Sequence, residues 1–133
     1  MSHHLLEARA LHRRAQIAEA FVAWLRAEAD ALVDAADLLG GPAWARRAAR
    51  VANALAAGAG ATSLLPDLEA LRRLLTLELT DDPWGPEAAH FMAVHPDDPR
   101  ADNARLCTEA LERGIPALQA LANAGAVQRS EAA

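Results

Sequence analysis

A run of nine apolar residues, spaced alternately four and three positions apart, constrains the fold of this chain more than any other feature. The spacing keeps all nine side chains on one face of a helix, as in a helix that lies along a partner helix. It predicts a long N-terminal helix over residues 5–39, about 50 Å in length if straight. Because this is long for a compact domain, we expect the helix either to bend or to pair with a second copy. The run comprises Leu11, Ala15, Ala18, Val22, Leu25, Ala29, Leu32, Ala36 and Leu39, and it is widened on one side by Ile17, Phe21 and Trp24.

The composition favours helix along the whole chain. The 133 residues include 35 Ala and 20 Leu, but only five Val, two Ile and no Tyr. Alanine and leucine are strong helix formers, whereas β-branched and aromatic residues are typical of strands. We therefore predict an all-α protein, and the chain length suits one domain.

Glycine and proline mark the boundaries of the predicted helices. The breaks at residues 40–42 and 58–63 are short, and short breaks make neighbouring helices antiparallel. Thr62 or Ser63 is the expected N-cap of the third helix, and Asp98 that of the fifth. These features predict an antiparallel bundle of about four main helices plus one or two short helices, within a single domain of residues 1–125. The predicted helices cover 5–39, 43–57, 62–79, 87–94, 99–113 and 115–125, with Gly114 and Gly125 as the last two stops and 126–133 as a frayed tail.

Charge and cysteine content narrow the functional classes. The formal net charge is −5, which argues against a nucleic-acid partner because such proteins present a basic surface. A single cysteine, Cys107, excludes an internal disulfide framework. The first residues do not resemble a secretory signal, and no apolar stretch approaches the ~20 residues of a membrane span. We therefore expect a cytoplasmic protein with no membrane partner.

The segment between the third and fifth predicted helices carries side chains that suit a divalent metal. Glu87 and His90 stand three positions apart, as in the Glu-x-x-His pairs of di-iron bundles, and His95 follows. The sequence lacks the second pair that such bundles need. Capping of helix ends by acidic residues and histidine is the simpler interpretation. A further candidate, for Cu(II) or Ni(II), is the N-terminus with His3, or His4 if the initiator methionine is removed.

The remaining candidate residues suit contact with another protein. Four belong to the apolar run, one is a tryptophan in a loop rich in proline and glycine, and three form a basic cluster. An aromatic in such a loop is either a lid over the end of the bundle or an interface anchor. The basic cluster could meet an acidic partner, although a solvated helix face is the simpler interpretation. These candidates are Leu11, Val22, Leu25 and Leu32; Trp84; and Arg46, Arg47 and Arg50.

The sequence shows no catalytic constellation. Cys107 shares a helix face with Ala104 and Leu111, as a small buried hydrophobic residue does. The glycine-rich stretch at 57–61 follows a helix rather than the strand that a dinucleotide site needs. We therefore favour a non-catalytic protein-interaction module without a cofactor, such as an adaptor, accessory subunit, immunity-type inhibitor or assembly factor. We expect it to associate with its own copy through the first helix, as a homodimer, and its partners to be another protein or that copy. The alternative is a helical bundle that binds a divalent metal or a small ligand around Glu87, His90 and His95, either as a binding protein or as an enzyme. A DNA-binding regulator ranks third.

Overall fold

Six α-helices form the part of the protein that the structure describes. The computed structural model describes the backbone of residues 3–95 and 97–132, and the side chains of 4–95 and 97–125. Within these residues there is no strand, and the predicted all-α fold is confirmed. Two 3-10 turns, Ala61–Leu64 and Glu78–Asp81, flank the fourth helix. The helices are α1 (His3–Ala27), α2 (Ala29–Gly40), α3 (Pro42–Ala56), α4 (Leu65–Leu75), α5 (Pro86–Met92) and α6 (Arg100–Ala132).

The long N-terminal helix bends at Glu28, where α1 gives way to α2. Glu28 has φ −113° and ψ 28°, outside the helical region. Backbone hydrogen bonds nevertheless continue across the junction. The Glu28 N–H donates to the Trp24 carbonyl at 2.8 Å, and the Leu32 N–H donates to the Glu28 carbonyl at 3.1 Å. Of the two outcomes expected for this helix, the structure shows the bend.

The C-terminal part of the chain differs from the prediction, because one helix of 33 residues replaces two shorter ones. α6 continues through Gly114, where the sequence predicts a stop, through Pro116, and past Gly125 to Ala132. The reason at Gly114 is tertiary: a Cβ atom there would overlap the ring of Phe21. The glycine thus lets α1 and α6 approach closely, and this packing offsets its low helix propensity.

α6 runs antiparallel along both α1 and α2. Phe21 of α1 contacts Gly114 of α6. Ala31, which comes later in the N-terminal pair, contacts Asn103, which comes earlier in α6: the Asn103 amide N–H donates to the Ala31 carbonyl at 2.8 Å. Later residues of α1 and α2 therefore lie beside earlier residues of α6, with a similar number of residues between the two contacts on each side. α2 and α3 form a hairpin, α4 packs between them and α6, and one core joins the helices. Its largest fully buried members are Leu25, Leu32, Val51, Leu68, Leu71, Leu74, Cys107 and Leu111.

The first turns of α1 extend beyond the bundle. Every α1 side chain from His4 to Arg14 is exposed, and the first buried one is Ala18. The antiparallel register places this part of α1 beside the last turns of α6. The start of α4 meets α6 near Ile115 and Gln119, well before the end of α6. The first turns of α1 therefore form an arm of about 16 Å, which is eleven residues at 1.5 Å each.

The structure confirms one predicted helix cap and contradicts the other. Asp98 caps α6 as expected, because its Oδ1 accepts the Arg100 N–H at 2.9 Å. Neither Thr62 nor Ser63 caps the third main helix, so that prediction is wrong. The chain forms a 3-10 turn there, Ser63 Oγ donates to the Gly60 carbonyl at 2.6 Å, and α4 begins at Leu65 without a side-chain cap. α4 ends at Leu75 rather than Leu79.

The contact between Gly114 and Phe21 leads to a stability prediction. Gly114→Ala forces a methyl group into the Phe21 ring and should lower the free energy of unfolding by about 1–3 kcal/mol, as overpacking does. Gly125→Ala is the matched control on the same helix, since a Cβ atom added there would have no neighbour within 4 Å. It should raise stability by about 0.5–1 kcal/mol. Urea unfolding followed by circular dichroism measures both, and equal effects would contradict the close approach.

Candidate functional site

An open apolar groove lies between α1 and α6. Its volume is about 500 Å³. The ring of Phe21 stacks on that of Trp24, with centroids 6.4 Å apart and planes 11° apart. Phe21 is buried and forms the floor with Gly114, whereas Trp24 is half-buried and forms one wall. The remaining lining residues are Arg13, Gln16, Ile17, Ala20, Ala110 and Arg113.

The rim of the groove is basic. Arg13 and Arg113 contribute the charged groups, and neither forms an ion pair with any other residue whose side chain is described. A second depression of about 420 Å³ continues along α1 and shares Arg13 and Gln16 with the first. It adds Arg9 and His12. The described residues that line the two depressions include no aspartate or glutamate, although the whole chain carries a net charge of −5.

The apolar run of the first helix is divided between core and surface. Leu25 and Leu32 are each 2% exposed and belong to the hydrophobic core. Val22 is half-buried, and Leu11 is 38% exposed. The second half of the run is therefore used within the chain, and Leu25 and Leu32 are not available to a partner. The free surface of α1 is instead the groove side with Ile17, together with its first turns.

The basic cluster and the loop tryptophan lie elsewhere. Arg47 contacts Asp67 with Nε 2.9 Å from Oδ1, and its guanidinium lies 5.4 Å from the ring centroid of Trp44. It therefore ties α3 to α4. Arg46 and Arg50 are exposed on α3. Trp84 is 94% exposed in the loop before α5. The structure brings none of these residues to the groove.

The two histidines predicted as metal ligands, His90 and His95, form hydrogen bonds with backbone groups. His90 is half-buried and its Nε2–H donates to the Asp37 carbonyl at 3.1 Å, so that it ties α5 to the end of α2. Exposed His95 accepts the Asp97 N–H at Nδ1 at 3.1 Å. Across residues 4–95 and 97–125 no three His, Cys, Asp or Glu side chains, Glu87 included, come together as a metal site. The side chain of His3 lies outside the described residues.

Cys107 is enclosed in the core. It is 0% exposed. Burial raises the pKa of its thiol to about 11, and the nearby carboxylate of Glu28 acts in the same direction. A thiol is a nucleophile only as the thiolate, so this residue stays protonated and unreactive at neutral pH.

Sequence reasoning missed the arginines and small residues of the groove. Arg13 and Arg113 are a hundred positions apart in the chain, and no sequence pattern indicates that they lie close together in the fold. The one pattern in the sequence that indicates the groove is on α1, where Ile17 and Trp24 make the apolar face wider than the run of nine residues alone. No family model, curated protein or solved structure matches the chain. No helix within the described residues combines the length and apolar character that crossing a bilayer requires.

The state of Cys107 can be tested by thiol labelling. At pH 8 the native thiol is protonated and enclosed in the core, so Ellman's reagent should react at least about 100-fold more slowly than with the unfolded chain. Between about pH 8.5 and pH 11 the Cys107 thiol is ionised in the unfolded chain but not in the folded one. The free energy of unfolding should therefore fall as the pH rises through this range. Ala56→Cys in a Cys107→Ala chain is the control, since Ala56 is exposed on α3 and should label rapidly. Equally fast labelling of native Cys107 would refute its enclosure.

Proposed function

We propose that this protein is a non-catalytic protein-interaction module that binds its partner in the groove between α1 and α6. The observation that carries the proposal is the combination of an aromatic floor and wall with two rim arginines that form no ion pair to any described side chain. Aromatic residues and arginine are the side chains that dominate binding energy at protein interfaces. Phe21 and Trp24 offer the apolar contact, and Arg13 and Arg113 offer directional hydrogen bonds around it.

The rigidity of the groove supports this role. Its floor is part of the core: Phe21 is 5% exposed and sits on Gly114 with no space for a methyl group between them. Ile17 and Trp24 also pack against the core. A surface fixed in this way loses little conformational entropy when a partner binds, which favours affinity.

The partner we favour is a different protein rather than a second copy joined through the whole apolar run. Leu25 and Leu32 are in the interior, so a helix from another copy could pair only with the part before Val22. The residue best suited by type to covalent catalysis, Cys107, is a protonated thiol inside the core. These points support an adaptor, accessory subunit, inhibitor or assembly factor over an enzyme.

A photo-crosslinking amino acid at Gln16 tests the proposal in the native host. Gln16 is exposed and lines the groove, so it should crosslink one recurrent partner. The same amino acid at Ala56, exposed on α3, is the control and should not crosslink that protein. Adding Ala20→Glu, which introduces bulk into the groove at an exposed site, should abolish the Gln16 crosslink. A crosslink at both positions, or at neither, counts against the groove as a binding site.

A further inference from the structure

We infer that the occupant of the groove is an amphipathic helix with acidic residues along the edges of its apolar face. This inference rests on the proposed function and specifies the chemistry of the partner. It follows from the shape of the surface and from the sign of its charges, which are independent observations.

The shape of the surface fits a helix. The two depressions share Arg13 and Gln16, and we call their combined lining, which follows α1 from Ala8 to Trp24, the furrow. All described lining residues of the second depression belong to α1. The sixteen residue steps between its ends cover about 24 Å of helix. A compact small molecule is held by a cleft that encloses most of its surface, whereas this furrow is long and open. An amphipathic helix that lays its apolar face into a hydrophobic groove is a recurring mode of recognition, and such a helix fits this shape.

The charges of the furrow call for an acidic partner. Arg9, Arg13 and Arg113 line it together with His12, and no carboxylate is among its described lining residues. Guanidinium groups bind carboxylates through paired, charge-assisted hydrogen bonds. A helix with Glu or Asp beside its apolar positions would place carboxylates opposite these arginines, while a basic helix would be repelled.

The same charges disfavour a second copy on this face. In a two-fold symmetric dimer a surface meets itself, so residues near the axis face their own counterparts. Pairing of the furrow with its copy would gather Arg13 and Arg113 from both chains around one apolar strip. The described residues of the furrow include no acidic side chain that could compensate them.

Two synthetic peptides test the inference on the intact chain. Each has about 20 residues, enough to span the furrow, with the same Leu and Ala face. One carries Glu at all flanking positions and the other carries Lys. Fluorescence anisotropy should show the Glu peptide binding about tenfold or more tightly than the Lys peptide, and more weakly as salt rises. In two-dimensional NMR the indole N–H of Trp24 and the amide of Gly114 should shift.

Charge reversal provides the matched variants. Arg13→Glu with Arg113→Glu should invert the preference, so that the Lys peptide binds more tightly. Arg46→Glu with Arg50→Glu makes the same change of charge at exposed positions on α3 and should leave the preference intact. Circular dichroism confirms that both variants are folded, since all four arginines lie at the surface or rim.

Several results would overturn the inference. They are equal binding of both peptides, no binding of the Glu peptide, inversion by the α3 variant as well, and a dimer in sedimentation equilibrium that Ala20→Glu dissociates. A small molecule retained in native mass spectrometry and lost with Ala20→Glu would do the same. If Gln16 crosslinks a partner that presents no acidic helix, the inference fails while the proposed function stands. If Gln16 crosslinks no protein at all, the proposed function fails with it.

Discussion

The packing of α6 against the bent pair α1 and α2 determines the rest of this structure. α6, a helix of 33 residues, packs along both α1 and α2 and therefore contacts the chain on either side of the bend at Glu28. The closest point of this packing is Gly114 on Phe21. There the missing side chain brings the two helix backbones together and leaves the Phe21 ring between them. The groove exists because the ring fills the bottom of the space between the helices and nothing fills the top.

Local signals in the sequence were sufficient for the helical class, the break before Pro42 and the cap at Asp98. They were insufficient where tertiary contacts decide. A glycine inside a helix costs about 1 kcal/mol and a proline about 3 kcal/mol, so Gly114 and Pro116 together resemble a helix end when only neighbours in sequence are considered. The packing of α6 across three other helices outweighs that cost. The bend at Glu28 has no glycine or proline to mark it, and the alternating spacing of apolar residues continues through it without interruption.

The candidate site was harder to predict for a related reason. A run of apolar residues at spacings of four and three indicates that a helix has a partner, but the partner can belong to the same chain or to another. Here Leu25 and Leu32 are buried in the core of the same chain, and the surface left open lies on the adjacent side of α1. Its charge comes from both helices, and only the fold reveals that Arg113 stands beside the arginines of α1. The histidine segment illustrates the reverse case, because His90 has the side chain of a metal ligand but serves to hold α5 against the end of α2.

The arm formed by the first turns of α1 has a consequence for how stability is distributed along the chain. Residues that bury little surface can open without disturbing the core, so backbone amides before Arg14 should exchange their hydrogens through local fraying. Amides around the fully buried Leu25 and Leu111 should exchange far more slowly, because opening the helix there exposes core side chains. The furrow covers both parts of the chain: its end at Trp24 lies on the core, and its end at Ala8 lies on the arm that frays. A ligand helix that begins at Trp24 would therefore find a ready surface first, and would order the arm as it extends towards Ala8.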